Sequence, residues 1–275
     1  MKILVTGAKG FVGRNLVENL KNIRDGKNRT RPNVVIDEIY EYDINNSAEE
    51  LDVFCADCDF VFNLAGVNRP QNSEEFMVGN FGFASTLLDT LKKHDNNCPI
   101  MLSSSIQATL SGRFGDSEYG RSKKAGEDLF FDYGKETGAK VLVYRFPNLA
   151  GKWVRPNYNS AVGTFCNNIA NDLPITVNDS SVELELLFID DLVTEMFDAL
   201  EGKEHHCEFD GVETVLCADM GNSWALNKMG EYYRMNGDIE KALMYYKLAD
   251  SAPISERCLW ARKNIERYNN GRKDC

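Results

Sequence analysis

A tyrosine and a lysine lie four residues apart in the segment YGRSK, residues 119–123. On a helix this spacing places Tyr119 and Lys123 on one face, where the lysine ammonium is expected to lower the pKa of the phenol. The phenol can then donate a proton to a carbonyl oxygen, and the lysine can reach the ribose of a nicotinamide nucleotide. Ser105, at the end of the preceding strand, can hold that carbonyl by a hydrogen bond. The three residues predict carbonyl reduction, although Y-x-x-x-K alone also occurs as an exposed helix pair.

A second chemical signal is the segment TGAKGFVG, residues 6–13, which has G-x-x-G-x-x-G spacing. It follows a short apolar run and precedes apolar residues at helical spacing, so it is predicted to join a strand to a helix. Glycines allow a tight turn there, and the N–H groups at the helix start attract the diphosphate of a dinucleotide. An ordinary glycine turn is the alternative. The residues predicted to contact the cofactor in this segment are Gly7, Lys9, Gly10, Phe11, Val12, Gly13 and Arg14.

Two residues near this turn give opposite indications of which dinucleotide binds. Asp43 follows the predicted second strand, where a carboxylate accepts hydrogen bonds from the adenosine ribose and repels a 2′-phosphate. Arg14 follows the last glycine and can neutralise such a phosphate. Asp43 can also be an ordinary turn residue in contact with solvent. The sequence therefore predicts NAD(P) and leaves NAD and NADP as alternatives.

The elements that must position these residues are strands and helices in alternation. The apolar patterns predict strands at residues 3–5, 38–42, 60–64, 100–102 and 140–144, and helices at 11–20, 48–55, 76–93 and 122–137. Such alternation predicts an α/β fold with a Rossmann-type doubly wound parallel sheet. The predicted domains are an NAD(P)-binding domain over residues 1–150, a partial substrate-binding lobe over 151–218 and a short all-α tail over 219–275.

The tail is expected to be helical and to resemble a single tetratricopeptide repeat. Small and aromatic residues recur between Leu226 and Ala249 at helical spacing, with a turn at Asn236-Gly237-Asp238. One repeat cannot bury its own apolar face. The tail is therefore expected to pack on the reductase lobe or on another protein.

Composition disfavours several classes of partner and site. The formal charge of −11 disfavours nucleic acid and anionic membranes as ligands. The 8 cysteines lack the spacing of a disulfide framework, and no signal-like start or run of about eighteen apolar residues is found, so a soluble cytoplasmic protein is expected. Cys55 and Cys58 form an isolated C-x-x-C, and His205-His206 is an isolated pair in a charged loop. No metal site is predicted.

Several motifs carry a resemblance to a known family. TGAKGFVG, NLAGVNRP (residues 63–70), SSSIQAT (103–109), YGRSK and YRFPN (144–148) resemble the extended short-chain dehydrogenase/reductases that modify nucleotide sugars, the NAD-dependent epimerase/dehydratase family. GKWVRPNYNSAVGTFCNNIA (151–170) and FIDDL (188–192) are similar to the reductase half of the bifunctional capsular polysaccharide enzymes of UDP-N-acetyl-L-fucosamine synthesis, the CapF type. The resemblance covers roughly residues 1–215.

The resemblance implies reduction of the C4 keto group of a UDP-linked 4-keto-6-deoxy-N-acetylhexosamine by NAD(P)H, with NADPH the usual cofactor of the family. It implies that Tyr119 is the acid, Lys123 its electrostatic partner and Ser105 the residue that holds the carbonyl. Further cofactor contacts, besides Tyr119 and Lys123, are implied at Leu64, Ala65, Gly66, Asn80, Ser103, Phe146 and Asn148. Substrate contacts are implied at Asn68, Arg69, Ser105, Asn148, Arg155, Asn157, Asn159 and Ser160.

The sequence also departs from the resembling enzymes. Their reductase lobe continues further and is followed by a cupin domain that epimerises C3. No counterpart of that domain is expected here, so epimerisation at C3 is not expected either. One alternative is therefore a cofactor-binding, catalytically impaired interaction protein whose tail recruits partners. A nucleotide-sugar 4-epimerase or dehydratase is a further alternative, although no Asp-Glu pair of the dehydratase kind follows Ser105. A homodimer is left open.

Overall fold

Strands and helices alternate through the amino-terminal part of the chain. The structure, a computed structural model, describes residues 1–67, 76–177 and 184–204, the backbone of residues 206–209 and 212–215, and the helical positions 239, 243 and 247. Two compact units are present, Met1–Leu216 and Cys217–Cys275. The predicted helical repeat lies outside the described residues except for those three positions. In the described ranges, no helix is both long enough and apolar enough to cross a bilayer.

The elements of the first unit follow the predicted order. The strands are β1 (Lys2–Thr6), β2 (Glu38–Tyr42), β3 (Phe60–Asn63), β4 (Ile100–Ser105), β5 (Val141–Phe146), β6 (Asn148–Ala150), β7 (Leu186–Phe188), β8 (His206–Phe209) and β9 (Val212–Val215). The helices are α1 (Phe11–Arg24), α2 (Ala48–Asp57), α3 (Phe83–Lys93), α4 (Glu118–Thr137), α5 (Ala161–Ala170) and α6 (Ile189–Leu200). A π-helical turn, Met77–Gly82, leads into α3, and two 3₁₀ turns, Ile106–Thr109 and Gly112–Phe114, precede α4.

Five strands form the central sheet in the order β2-β1-β3-β4-β5, and every neighbouring pair is parallel. The predicted Rossmann-type parallel sheet is therefore confirmed. The chain moves outward from β1 to β2 and then crosses to the other side of β1 to form β3. In open α/β sheets, ligands bind outside the carboxyl ends of the strands at such a reversal. The glycine-rich segment follows β1 and therefore lies at this position.

Helices cover both faces of the sheet and bury its apolar side chains. Helices α2, α3 and α4 pack over one face, where Leu4, Val61 and Ile100 are fully buried. Helices α1 and α6 contact each other over the opposite face. Strands buried on both faces are typical of parallel sheets and explain why these segments are almost continuously apolar. This packing gives the loops at the carboxyl ends of the strands a rigid base.

Two predicted boundaries near the site are wrong. Strand β4 continues to Ser105 instead of ending at Leu102. Helix α4 begins at Glu118 instead of Ser122, because the Ser117 hydroxyl caps it by accepting a hydrogen bond from the Gly120 N–H at 2.9 Å. Tyr119 therefore lies in the first turn of the helix that also carries Lys123.

Candidate active site

The glycine-rich segment forms a tight turn between β1 and α1. Gly7 has a φ of +64°, and a Cβ atom added to it would lie 2.8 Å from the Ala65 N. A Cβ atom added to Gly13 would clash with the carbonyl oxygen of Gly7 and lie 2.8 Å from the Ala8 Cα. Gly10 occupies the N-cap position of α1 without a side-chain cap, so backbone N–H groups at this helix end face the turn. These features fit a bound diphosphate.

Asp43 holds the turn from the end of β2. One carboxylate oxygen accepts a hydrogen bond from the Lys9 N–H at 2.8 Å, and the other accepts from the Ile44 N–H at 2.9 Å. The carboxylate therefore fixes the backbone of the glycine turn. On the other side of the turn, the Arg14 guanidinium lies 4.4 Å from the centre of the Trp153 ring. The contact between Trp153 and Arg14 could not be predicted from the sequence, because the two residues are far apart in the chain and meet only in the folded protein.

Tyr119, Lys123 and two serines of β4 form a second group. The Lys123 ammonium donates a hydrogen bond to the Ser103 carbonyl at 3.0 Å and lies 5.7 Å from the centre of the Tyr119 ring. The Ser105 side chain is hydrogen-bonded to the Tyr119 hydroxyl. The structure thus brings together the three residues that were predicted to be catalytic.

Burial is the largest influence on the pKa values of Tyr119 and Lys123. It raises the pKa of the Tyr119 phenol, an effect that the hydrogen bond with Ser105 only partly opposes. Burial also lowers the pKa of Lys123 to about 8, and the Glu127 carboxylate acts in the opposite direction. The pKa of the phenol is therefore raised overall in the protein alone, whereas a lowered value was expected from its spacing to Lys123. The physical reason is that the phenol is enclosed and loses the hydration that its charged form requires.

Asn80 connects this group to the loop after β3. It lies on the π-helical turn, where its side-chain oxygen accepts a hydrogen bond from the Val67 N–H at 2.8 Å. Its amide nitrogen donates to the Val67 carbonyl at 3.1 Å and to the Ser122 hydroxyl at 3.0 Å. Ser122 was not among the predicted site residues, although it lies within the YGRSK motif between Tyr119 and Lys123. A π-helical turn of this kind often occurs at a functional site.

Short contacts join the glycine turn to the tyrosine–lysine group. A Cβ atom added to Gly66 would lie 3.1 Å from the Lys123 ammonium and 2.7 Å from the Asn80 side-chain oxygen. Gly66 adjoins Ala65, which in turn lies against Gly7. The predicted contacts Leu64, Ala65 and Gly66 therefore form the link between the two groups, at the sheet edge where β1 and β3 end. A dinucleotide lying along this edge would reach from the glycine turn to Lys123.

The remaining predicted cofactor contacts lie at the end of β5 and at the start of β6. Phe146 ends β5, with its ring centre 6.4 Å from that of Tyr144. Asn148 donates hydrogen bonds from its backbone and side-chain amides to the Glu185 carbonyl, at 3.1 and 3.2 Å. These bonds fix Asn148 where β6 pairs with β7.

Four of the predicted sugar and diphosphate contacts lie between β6 and the first residue of α5. Arg155, Asn157 and Asn159 are exposed, and the Arg155 guanidinium lies 5.4 Å from the centre of the Tyr158 ring. Ser160 is buried and caps α5, accepting from the Gly163 N–H at 3.2 Å. Asn68 and Arg69 lie outside the described residues.

Comparisons with known proteins agree with this arrangement. The profile of the NAD dependent epimerase/dehydratase family matches residues 3–208. A UDP-2-acetamido-2,6-beta-L-arabino-hexul-4-ose reductase of Pseudomonas aeruginosa is 42% identical over 203 residues, which are 74% of this chain and 50% of that protein. The crystal structure of the capsular polysaccharide assembling protein CapF from Staphylococcus aureus superposes with a TM-score of 0.62 at 35% identity, covering 90% of this chain and 66% of that chain.

A third relative shows how widely the fold is shared. The UDP-N-acetylglucosamine 4-epimerase of Bacillus cereus superposes with a TM-score of 0.57 at 25% identity, covering 83% of this chain and 81% of that chain. By contrast, this chain spans about half the length of the Pseudomonas reductase. The family profile, however, covers most of this chain and includes both the glycine turn and the tyrosine–lysine group. The chain belongs to the NAD-dependent epimerase/dehydratase family.

Proposed function

We propose that this chain is an NAD(P)H-dependent reductase that acts on the C4 keto group of a UDP-linked 4-keto-6-deoxy-N-acetylhexosamine. The observation that carries the proposal is the grouping of Ser105, Tyr119 and Lys123 beside the glycine turn. The similarity to the Pseudomonas aeruginosa reductase supports the choice of substrate. The similarity to CapF supports a place in the synthesis of capsular or surface polysaccharide sugars.

In this proposal each side chain has one task. A bound reduced nicotinamide supplies the hydride to the carbonyl carbon. Ser105 holds the carbonyl oxygen, and Tyr119 gives that oxygen its proton. The raised pKa of Tyr119 suits this direction of reaction, since the phenol keeps its proton at neutral pH. Once the proton has left, the Lys123 ammonium stabilises the phenolate. In the same proposal, Lys123 donates a hydrogen bond to the nicotinamide ribose.

The test is reduction by the purified chain. NADPH and a UDP-4-keto-6-deoxy-N-acetylhexosamine are mixed with the protein, and loss of the reduced-nicotinamide absorbance is followed. UDP-N-acetylglucosamine, which has no ketone, is the matched control. We expect absorbance loss with the ketone alone. Cofactor binding without turnover would overturn the proposal and favour the interaction protein, whereas NADPH-independent conversion of a 4-hydroxy sugar would favour the epimerase.

The lysine predicts how the reaction depends on pH. Lys123 must be protonated to support the phenolate, and its pKa is lowered to about 8. The protonated form predominates below this pKa and is lost as the pH rises through it. We therefore expect kcat/KM, which reports groups of the free enzyme, to fall above pH about 8. A profile measured from about pH 6 to about pH 10 that stays flat on its basic side would contradict this role for Lys123.

We infer that the cofactor is NADPH rather than NADH. The Asp43 carboxylate already accepts hydrogen bonds from two backbone N–H groups. A cleft of about 300 Å³ lies beside the glycine turn and is lined by the cations Lys9 and Arg14 and by two carboxylates. Those carboxylates, Glu18 and Glu41, are both paired with Lys21. A guanidinium binds a phosphate by charge-assisted hydrogen bonds, so this cleft suits a 2′-phosphate.

The inference predicts a selective loss in Arg14→Ala. We expect the Kd for NADPH to rise roughly tenfold, the effect of losing one charge-assisted hydrogen bond, and the Kd for NADH to change little. Arg24→Ala is the control, because Arg24 lies on the same helix and pairs with Asp25. Fluorescence titration of both nucleotides gives the two constants. Equal losses for NADPH and NADH would rule out contact between Arg14 and a 2′-phosphate.

A further inference from the structure

A buried ion pair lies beneath the tyrosine–lysine group. The Glu127 side chain is 0% exposed, and its carboxylate accepts hydrogen bonds from the Arg145 guanidinium at 2.8 and 2.7 Å. The Ser104 hydroxyl donates a third hydrogen bond to it at 2.6 Å. Burying a carboxylate and a guanidinium is costly, so a pair that only filled space could be replaced by apolar residues. We therefore expect a role for this ion pair other than filling space in the core.

The position of Glu127 indicates that role. Glu127 follows Lys123 by one helical turn on α4, so the two side chains share a face of the helix. Its partner Ser104 lies on β4 between Ser103, which accepts the Lys123 hydrogen bond, and Ser105, which is bonded to Tyr119. The Glu127 carboxylate thus joins α4 to β4 close to the points where Lys123 and Tyr119 are hydrogen-bonded to that strand.

We propose that Glu127 is a positioning residue that keeps Lys123 charged and holds it against Ser103. It lies one helical turn beyond Lys123 on α4 and acts through the lysine. The inference rests on the role proposed above for Lys123. Nothing in the sequence singles out Glu127, because a glutamate on an amphipathic helix is ordinarily exposed.

The charges around Lys123 show why such a carboxylate matters. Lys123 is only 8% exposed, and burial disfavours its ammonium. The nearby groups on its own helix are Tyr119, Lys124 and Glu127, and the Lys124 ammonium lies 3.8 Å from the Glu127 carboxylate. From β5, Arg145 contributes a positive charge that is bound to Glu127. Of these groups Glu127 is the one that raises the pKa of Lys123.

The experiment is an NMR titration of Lys123 in the full chain. Protein labelled with ¹³C at the lysine Cε positions is titrated without substrate, and the Lys123 signal is identified by its loss in Lys123→Met. In Glu127→Gln we expect the Lys123 pKa to fall from about 8 by roughly one pH unit or more. In Glu127→Asp, which keeps the charge, we expect most of the wild-type value to return. Equal Lys123 titrations in wild type and Glu127→Gln would overturn the proposal.

Further variants make the result decisive. Glu136→Gln is the control on the same helix, since Glu136 is exposed and pairs with Lys92 at 3.3 Å. If Glu127→Gln leaves Arg145 unpaired and does not fold, the double variant Glu127→Gln/Arg145→Met removes both buried charges. Removing the Arg145 charge by itself raises the Lys123 pKa, so the double variant is compared with Arg145→Met. The Lys123 pKa is expected to be lower in the double variant than in Arg145→Met, and equal values in these two proteins would overturn the proposal.

Failure of the Glu127 proposal can be distinguished from failure of the proposed reductase function. The titration uses no substrate, so an inactive chain can still show the dependence of Lys123 on Glu127. If the chain is active, the basic limb of its kcat/KM profile is expected to move to lower pH in Glu127→Gln by the same amount as the lysine titration. A merely structural role would lower the rate without moving that limb.

Discussion

Replacing Tyr119 by phenylalanine is expected to reduce kcat by roughly 10²- to 10⁴-fold, the range for loss of a general acid. The change removes only the hydroxyl that is bonded to Ser105 and would give its proton to the ketone. The ring remains and keeps its packing against Phe76, whose ring centre is 5.6 Å away. Folding and cofactor affinity are therefore expected to stay close to wild type.

Tyr133→Phe is the matched control for this experiment. Tyr133 is buried on the same helix, and its hydroxyl donates a hydrogen bond to the Asn96 carbonyl at 3.2 Å, away from the glycine turn. Its loss should affect thermal stability but leave kcat largely unchanged. Single-turnover measurements with saturating NADPH separate chemistry from binding. A Tyr119→Phe protein with the kcat of the wild type would remove the phenol from the mechanism.

The second large effect is expected for Gly13→Ala. The added methyl group would clash with the Gly7 carbonyl and press on the Ala8 backbone, neither of which belongs to a flexible side chain. The turn or the start of α1 must therefore shift, and the N–H groups that fit a diphosphate shift with it. We expect cofactor binding to weaken by roughly 10- to 100-fold, the equivalent of the usual cost of overpacking.

Gly82→Ala separates this effect from a general effect of glycine replacement. A methyl group at Gly82 meets no atom within 4 Å, and its backbone is helical. The Gly82→Ala protein is expected to bind NADPH as the wild type does and to be equally stable or slightly more so. Calorimetric titration with NADPH compares the two variants. Wild-type affinity in Gly13→Ala would mean that the turn does not cradle the diphosphate.

The parallel sheet could be predicted because its signals are local. The apolar run before residue 6 and the glycines after it specify a strand, a turn and a helix within about twenty residues. At Gly7 and Gly13 the backbone lies so close to neighbouring backbone atoms that any side chain would clash with them. The spacing of these glycines therefore predicts the turn. The alternation of later strands and helices then leaves few topologies open.

The boundaries around α4 could not be predicted from apolar periodicity. The first turn of the helix contains few apolar residues, so the pattern becomes visible only from Ser122 onward. The helix starts at Glu118 because the Ser117 hydroxyl caps it. This hydroxyl accepts a hydrogen bond from the Gly120 N–H and donates one to the side-chain oxygen of Gln107 at 2.8 Å. A capping serine in a loop rich in glycine and serine is not distinctive until its partner is known.

The polar supports of the site were missed for a related reason. Glu127 and Arg145 lie 18 positions apart, and Ser104 and Glu127 lie 23 apart, so their contacts depend on how α4 packs on the sheet. Asn80 was predicted, but its bonds to Val67 and Ser122 follow from the π-helical turn, which has no simple sequence pattern. The sugar contacts and the helical repeat of the tail stay predictions.

The transfer of deuterium from the cofactor to the sugar is the sharpest test of the proposed reduction. The chain is incubated with NADPH deuterated at the transferable position and the UDP-4-keto-6-deoxy-N-acetylhexosamine, and the product is examined by NMR. One deuteron is expected on C4 of the sugar, and formation of the labelled product is expected to be abolished or nearly so in Tyr119→Phe. Recovery of the unreduced ketone from wild-type protein saturated with NADPH would contradict the proposed reduction.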